Sequence, residues 1–234
     1  MNPNLMPGQK RLKMSKRIPL SDPRIADILI QECHEPMVSI ADIHKKIYAD
    51  TSTENANCLG YQANFIARRS VAERLKTVAD ALPEHLSILI KESYRPYHLQ
   101  KTLFDGYVND LLIEKPNLSI KEIEKIASHF IAPPIVAGHP TGGAVDVTLI
   151  DKKGNELDMG CAYDEDEKSS NGACHSYFDE LNSTQQLNRK QLFDAMTQAG
   201  FINYPFEWWH WSFGDRYWAF MSEKSSAIFG PIHI

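Results

Sequence analysis

Hydrophobic positions along this chain fall into blocks of two different periods. Between residues 64 and 82, Phe65, Ile66, Val71, Leu75, Val78 and Leu82 recur at helical spacing and predict an amphipathic helix that Pro83 ends. Leu86-Ser-Ile-Leu-Ile90 is a short continuous apolar run and predicts a buried strand, which delivers Glu92-Ser-Tyr-Arg95-Pro96 at its end. Pro96 suits the first turn of a further helix through Leu99, Leu103 and Phe104. Residues 105–132 read as mostly helical, with Ser119 and Glu122 as a capping box ahead of an Ile123/Ile126/Ala127 stripe. Ala144 to Ile150 alternates and predicts a strand with Val145, Val147 and Leu149 on one face and Ala144, Asp146 and Thr148 on the other. Asp151-Lys-Lys-Gly154-Asn predicts a tight turn, hence a hairpin into Glu156-Leu-Asp-Met159. The clearest helix spans 185–199, where Leu187, Leu192, Phe193 and Met196 share a face and Gly200 stands at the C-cap.

The stretches between these blocks have their own composition. Residues 1–24 are polar, basic and punctuated by proline, and predict an extended or poorly ordered arm before a folded domain over 25–234. A short helix is expected from Asp22-Pro23, because Ile25, Ile28 and Leu29 follow at helical spacing. Residues 38–61 read as a short strand and then a loop rich in Thr, Ser, Asn and Gly. Residues 160–184 form a long polar loop, and loops of that length in a compact domain tend to be functional. The expected fold class is α+β: a small antiparallel sheet flanked by helices packed on one side.

Composition narrows the function. The chain has 234 residues, 43% hydrophobic and 24% charged, the balance of an ordinary globular domain with a core of its own. A net charge of −5 lacks the basic footprint of a nucleic-acid binder. No apolar run is long enough to span a bilayer. The basic N-terminus lacks the apolar core of a secretory signal, so a cytoplasmic location is expected. Cys33, Cys58, Cys161 and Cys174 lie far apart without a Cys-x-x-Cys pair and read as free thiols, although Cys33 and Cys174 each precede a histidine.

Two segments carry candidate chemistry: His139-Pro-Thr-Gly-Gly-Ala-Val-Asp146 and Glu207-Trp-Trp-His210. Two histidines and an aspartate are zinc-ligand types, and catalytic zinc sites keep three protein ligands with a fourth position for water. Gly142 and Gly143 let the chain turn from His139 into the strand bearing Asp146. Glu207 and His210 are three apart, so a turn, bulge or helical twist must bring both to one ion. Trp208, Trp209 and Trp211 are then expected to wall the site and dry it. Taken singly, a loop histidine, a turn-capping aspartate and an aromatic core edge are the plainer readings. Their co-occurrence with a carboxylate base favours a metal site, with His139, Asp146 and His210 as ligands and Glu207 handling the proton of the bound water.

The same residues resemble a known family. His139 to Asp146 with Glu207 to His210 is similar to the paired zinc motifs of the VanX-type zinc D-alanyl-D-alanine dipeptidases, a peptidase family that also holds D-Ala-D-Ala carboxypeptidases. Ser93-Tyr-Arg95-Pro96 resembles the family's segment whose arginine stabilises the transition-state oxyanion. Met159-Gly160 with Tyr163-Asp164 resembles the segment whose aspartate receives the substrate amine, and Asn188-Arg189 through Gly200-Phe201 resembles the helix before the second motif. Tyr48, in Tyr-Ala-Asp, is similar to a family tyrosine at the substrate pocket. The likeness covers about residues 40–213. It implies one zinc ion on His139, Asp146 and His210, Glu207 as general base and acid, Arg95 as electrostatic stabiliser, and Asp164 with Glu92 for the ammonium end of a dipeptide.

Three departures bear on the substrate. Ala137 stands where the dipeptidases usually have a serine, His-Pro-Thr-Gly is nearer the carboxypeptidase wording, and Glu92 replaces a shorter aspartate. The expected activity is therefore hydrolysis of D-Ala-D-Ala or a related short dipeptide. The alternatives are a D,D- or L,D-carboxypeptidase or endopeptidase on longer wall peptides, or a non-catalytic zinc-bearing binding domain. The presence of both Glu207 and Arg95 argues against the last, since a structural zinc needs neither.

Overall fold

The computed structural model describes residues 17–128 and 130–233. Most of the expected arm, residues 1–16, lies outside the described residues. Its last part does not behave as a loose arm: Leu20 is buried with Ile25, Val136, Tyr204 and Tyr217 in a small apolar cluster. Asp22 caps the short helix α1 (Pro23–Ala26) by accepting from the backbone N–H of Arg24, as its sequence predicts.

The chain then runs through β1 (Leu29–Ile30), β2 (Met37–Ser39), β3 (Ile47–Ala49), α2 (Thr53–Leu59), β4 (Ile66–Arg68), α3 (Arg69–Ala81), β5 (Ser87–Glu92), α4 (Tyr97–Glu114) and α5 (Ile120–Ala127). A single 3-10 turn (His139–Thr141) precedes β6 (Ala144–Ile150). The chain continues through α6 (Ser183–Gln198), β7 (Ile202–Asn203), β8 (His210–Ser212), α7 (Arg216–Met221) and β9 (Ser226–Ala227). The central sheet has five strands in the order β3-β5-β6-β8-β7. All of its pairs are antiparallel except β3 with β5, which run parallel because α2, β4 and α3 lie between them in the chain. The expected hairpin after β6 reduces to one bridge, Ile150 to Glu156.

The α+β class of the sequence reading holds, with three local differences. Phe65 and Ile66 precede the helix predicted over 64–82: Ile66 belongs to β4, whose partner is β2. The polar stretch after β3 is helix α2, with Ser52 as N-cap and Gly60 in the left-handed conformation at its end. Residues 105–132 divide into the end of α4 and α5, the latter opened by the predicted Ser119/Glu122 capping box.

Helices α3 and α6 cover one face of the sheet. Val71, Leu75 and Val78 from α3 and Leu192 and Met196 from α6 are buried with Ile88, Ile90, Val145, Val147 and Leu149 in the main core. Helices α4 and α5 form a separate cluster around Phe104, Val108 and Ile123. The other face of β6, carrying Ala144, Asp146 and Thr148, is also fully buried. A charged side chain is thus embedded mid-sheet, and it organises the site described below.

One buried cation ties the segments around that strand together. Arg68 donates from Nε to the carbonyl of Thr141 (2.9 Å), from Nη1 to Glu32 Oε1 (3.0 Å) and the carbonyl of Glu35 (2.8 Å), and from Nη2 to Glu32 Oε2 (3.0 Å) and the carbonyl of Gly230 (3.2 Å). Its backbone N–H donates to the carbonyl of Gly142. Gly142 itself has φ +70°, and a Cβ there would meet Met37 Sδ at 2.5 Å, so only glycine suits the turn into β6. Arg68→Ala should lower the unfolding free energy by about 3 kcal/mol, because it strands Glu32 and three carbonyls. Urea denaturation checks this; a loss below ~1 kcal/mol would mean the turn is held without Arg68.

Candidate active site

Three adjacent strands place three polar residues in one row. Glu92 on β5 pairs with Asp146 on β6, and Asp146 pairs with His210 on β8. The register between β5 and β6 shifts between Ile90 and Glu92, so Lys91 is the extra residue of a bulge. Ile90 opposes Val147 in the core, and the bulge lets Glu92 oppose Asp146 instead of Lys91. Lys91 turns to Asp50 (2.6 Å) and Glu156 (2.8 Å).

His139 enters from the 3-10 turn. Its Nδ1 lies 2.7 Å from the carbonyl oxygen of Ser93, which only accepts, so the proton sits on Nδ1 and Nε2 is free to ligate. That Nε2 is 3.4 Å from Asp146 Oδ1, and His210 Nδ1 is 3.0 Å from the same oxygen. Ligand atoms of His139, Asp146 and His210 all fall within 4.8 Å of one another, and all three residues are buried. Each ligand has a second partner: Ser93 for His139, the Tyr163 hydroxyl donating to Asp146 Oδ2 (3.1 Å), and Ser212 Oγ at 3.4 Å from His210 Nε2. Two imidazole nitrogens and one carboxylate oxygen, converging and held from behind, fit a zinc ion with one position open.

Gly138 is required by the same packing. A Cβ on it would collide with Asp215 Oδ2 and lie 2.8 Å from the Cβ of Ala144. Asp215 is buried, caps α7 through the N–H of Trp218 (2.7 Å), and has its carboxyl pushed up by that burial.

The turn that the Glu207–His210 spacing requires is present. Glu207 N–H donates to the carbonyl of Tyr204, and Asn203 Nδ2 donates to the carbonyls of Glu207 and His210 (both 3.0 Å), which fastens the turn. Glu207 Oε2 lies 3.9 Å from His210 Nδ1. Burial, opposed by His210 and reinforced by Asp146, pushes the Glu207 carboxyl up to about 8. A quarter of its side chain, 25%, stays accessible, and Glu207 lines the cavity. All three tryptophans are buried in the main core, and only Trp209 also walls the cavity; a turn precedes the strand His210–Ser212, so Trp209 and Trp211 do not share the face that regular alternation would give them.

Arg95 lines the cavity and is held from three sides. Nε donates to the Tyr61 hydroxyl (2.7 Å) and Glu92 Oε1 (2.8 Å), Nη2 to Glu92 Oε2 (2.5 Å), and Nη1 to Gln100 Oε1 (2.9 Å). Glu92, fully buried at 0% exposure, also accepts from the Tyr61 hydroxyl. The sequence reading had Glu92 facing a substrate amine; its two oxygens are instead engaged by Arg95 and Tyr61, so it positions the arginine. Asp164 does line the cavity, at φ +63° in the long loop. Burial first, then the nearby Asp146, pushes its carboxyl up to about 6.

Tyr48 is not brought to this site. It lies on edge strand β3, 47% exposed, donates to the carbonyl of Lys45, and borders a different groove with His44 and Lys152. Tyr61, absent from the sequence reading, lines the cavity. Its signal was Gly60, the residue that ends α2 and turns the chain inward. The cavity measures about 240 Å³ and joins the three ligands, Glu207, Arg95 and Asp164.

The profile of the family described as D-ala-D-ala dipeptidase matches residues 38–226. A D-alanyl-D-alanine dipeptidase of Synechocystis sp. is 29% identical, covering 82% of this chain and 87% of that protein. One of Escherichia coli is 27% identical, covering 70% and 74%. A solved structure of the LdcB LD-carboxypeptidase is 23% identical with a TM-score of 0.42, covering 81% of this chain and 73% of that one.

Removing only the hydroxyl of Tyr163 tests whether Asp146 is oriented as its bonds indicate. Tyr163→Phe should weaken zinc affinity by roughly tenfold, the lower end for a lost partner behind a metal ligand. Competition against a chromophoric chelator reads this directly, and unchanged affinity would mean that the histidines alone orient Asp146.

Proposed function

This chain belongs to the D-ala-D-ala dipeptidase family of peptidases, and on that premise we propose that it hydrolyses D-alanyl-D-alanine or a closely related short dipeptide with one zinc ion on His139, Asp146 and His210. The observation that carries the reading is the single small cavity in which the three ligands, a carboxylate of raised pKa, a restrained arginine and a further acid meet. At about 240 Å³ it lies below the range usual for drug-sized ligands, which suits a dipeptide.

Zinc bound there supplies Lewis-acid polarisation of the scissile carbonyl and a lowered pKa for the attacking water. Glu207 takes the proton of that water on a carboxylate oxygen as the water oxygen bonds to the carbonyl carbon. It then passes the same proton to the amide nitrogen as the C–N bond breaks, so the leaving D-alanine departs as a neutral amine. Its raised pKa favours return of the proton, and the positive charge of a zinc ion beside it would draw that pKa down, so that the ionised form which accepts the proton is populated as well.

Arg95 meets the negative charge that grows on the carbonyl oxygen. Its guanidinium has five N–H donors, and the bonds to Tyr61, Glu92 and Gln100 leave one N–H on each terminal nitrogen for the substrate. Because Glu92 and Gln100 fix the plane beforehand, little reorganisation is needed during the reaction. Asp164 pairs with the substrate ammonium; near neutral pH it is mostly ionised, and a bound cation lowers its pKa further. That placement favours a dipeptide with a free amine over the longer wall peptides of a carboxypeptidase, where a neutral amide would meet this carboxylate.

Release of D-alanine from D-Ala-D-Ala, with and without a chelator, tests the activity. Zinc-dependent release is expected, with a blocked-amine dipeptide a poor substrate; cleavage of the blocked form alone would move the protein to the carboxypeptidase reading. Glu207→Ala should retain zinc and lose roughly 10²–10⁴-fold in kcat. His210→Ala should lose zinc together with activity, and full zinc content in that variant would remove His210 from the ligand set.

A further inference from the structure

Residues 17–20 precede the 38–226 stretch that the family profile matches, yet Leu20 reaches the cavity. Leu20 lines it directly and is only 7% exposed. The segment is fastened at three of its four residues. Arg17 donates from Nη1 to His175 Nδ1 (3.3 Å), the carbonyl of Ile18 accepts from the Tyr217 hydroxyl (3.4 Å), and the N–H of Leu20 donates to the Tyr204 hydroxyl (3.4 Å). Tyr204 lines the same cavity and stacks edgewise on the ligand His210, with ring centroids 6.0 Å apart. Just beyond, α1 buries Ile25 in the same apolar cluster as Leu20, so the segment is anchored on both sides of the cavity wall.

We propose that Leu20 is a specificity-determining residue of this enzyme: it closes one wall of the cavity and limits the site to short peptides. The proposal rests on the peptidase reading above. The remaining walls come from residues inside the matched stretch, such as Leu59, Gln100 and Phe130. Leu20 is therefore a wall added by the chain's own N-terminal segment. An apolar side chain here contacts substrate without competing for its charged ends, so it acts by size. A pocket wall that differs by one or a few carbons changes discrimination by about 10–200-fold.

The test uses the zinc-loaded full chain with three variants: Leu20→Ala enlarges the cavity, Leu20→Trp fills it, and Tyr217→Phe removes only the hydroxyl that holds the Ile18 carbonyl. Turnover is compared for D-Ala-D-Ala and for two tripeptides, one extended at each end. Calorimetric binding of the same peptides to Glu207→Ala proteins, with and without each change, gives a readout independent of turnover. Leu20→Ala should raise the tripeptide-to-dipeptide ratio by about tenfold or more, and Leu20→Trp should lower dipeptide affinity by a similar factor. Tyr217→Phe, which leaves the wall residue intact, should move the ratio in the direction of Leu20→Ala by a smaller factor. If wild type cleaves none of the peptides but the binding ratio shifts, the peptidase reading fails and the wall assignment stands. If the variants fold, hold zinc and show unchanged ratios in both measurements, Leu20 does not set the size limit.

Discussion

The structure depends most on a buried carboxylate. Asp146 sits in the middle of β6 with apolar neighbours on both sides along the strand, in the strand pair most enclosed by the rest of the sheet. An isolated charge in that position would cost several kcal/mol. It is retained because two imidazoles and a tyrosine hydroxyl surround it, and the histidines drive its pKa far down despite its burial. The turn closed by Asn203 and the glycine at 138 serve to bring the imidazoles within reach, and the bulge at Lys91 sets Glu92 opposite it.

Three carboxylates of this site have three different environments, and their chemistry follows. Asp146 faces two histidines and is held ionised. Glu92 is enclosed by Arg95 and is also held ionised, although it never reaches the cavity. Glu207 has burial without an arginine bond, and its opposition by His210 and Arg95 is offset by Asp146 and Asp164, so its proton affinity rises. Separated proton affinities of this kind are what the proposed roles of ligand, support and base would require.

Much of this was legible in the sequence where chemistry is local. The two ligand-bearing segments, the β6 alternation, the α6 helix and the need for a turn before His210 could be read from spacing alone. Arg95 stood out through the likeness of its Ser-Tyr-Arg-Pro segment to the family's, and it lines the cavity. What failed was long-range placement. Glu92 and Tyr48 were assigned to substrate by likeness of wording, but a bulge and an edge position decide where their side chains point. Helix α2 was read as a loop because its polar residues outweighed two sound end signals, Ser52 and Gly60. Leu20 gave no signal at all: a leucine closing a short Ile-Pro-Leu run acquires a role only when Tyr204 and Tyr217, nearly two hundred residues later, fold against it.

The placement of the ligands also has a mechanical meaning. Asp146 and His210 are separated by 64 positions in the chain, and His139 comes from a different segment again. The four cysteines are free, so no covalent bridge joins these parts. An ion gripping all three ligands acts as a crosslink, shrinking the unfolded ensemble as a disulfide would; a loop of this size corresponds to about 3–5 kcal/mol in the chain-entropy picture. On the proposed function such an ion would also be the clasp of the sheet, and metal supply would bear on how long the folded chain survives as well as on how fast it works.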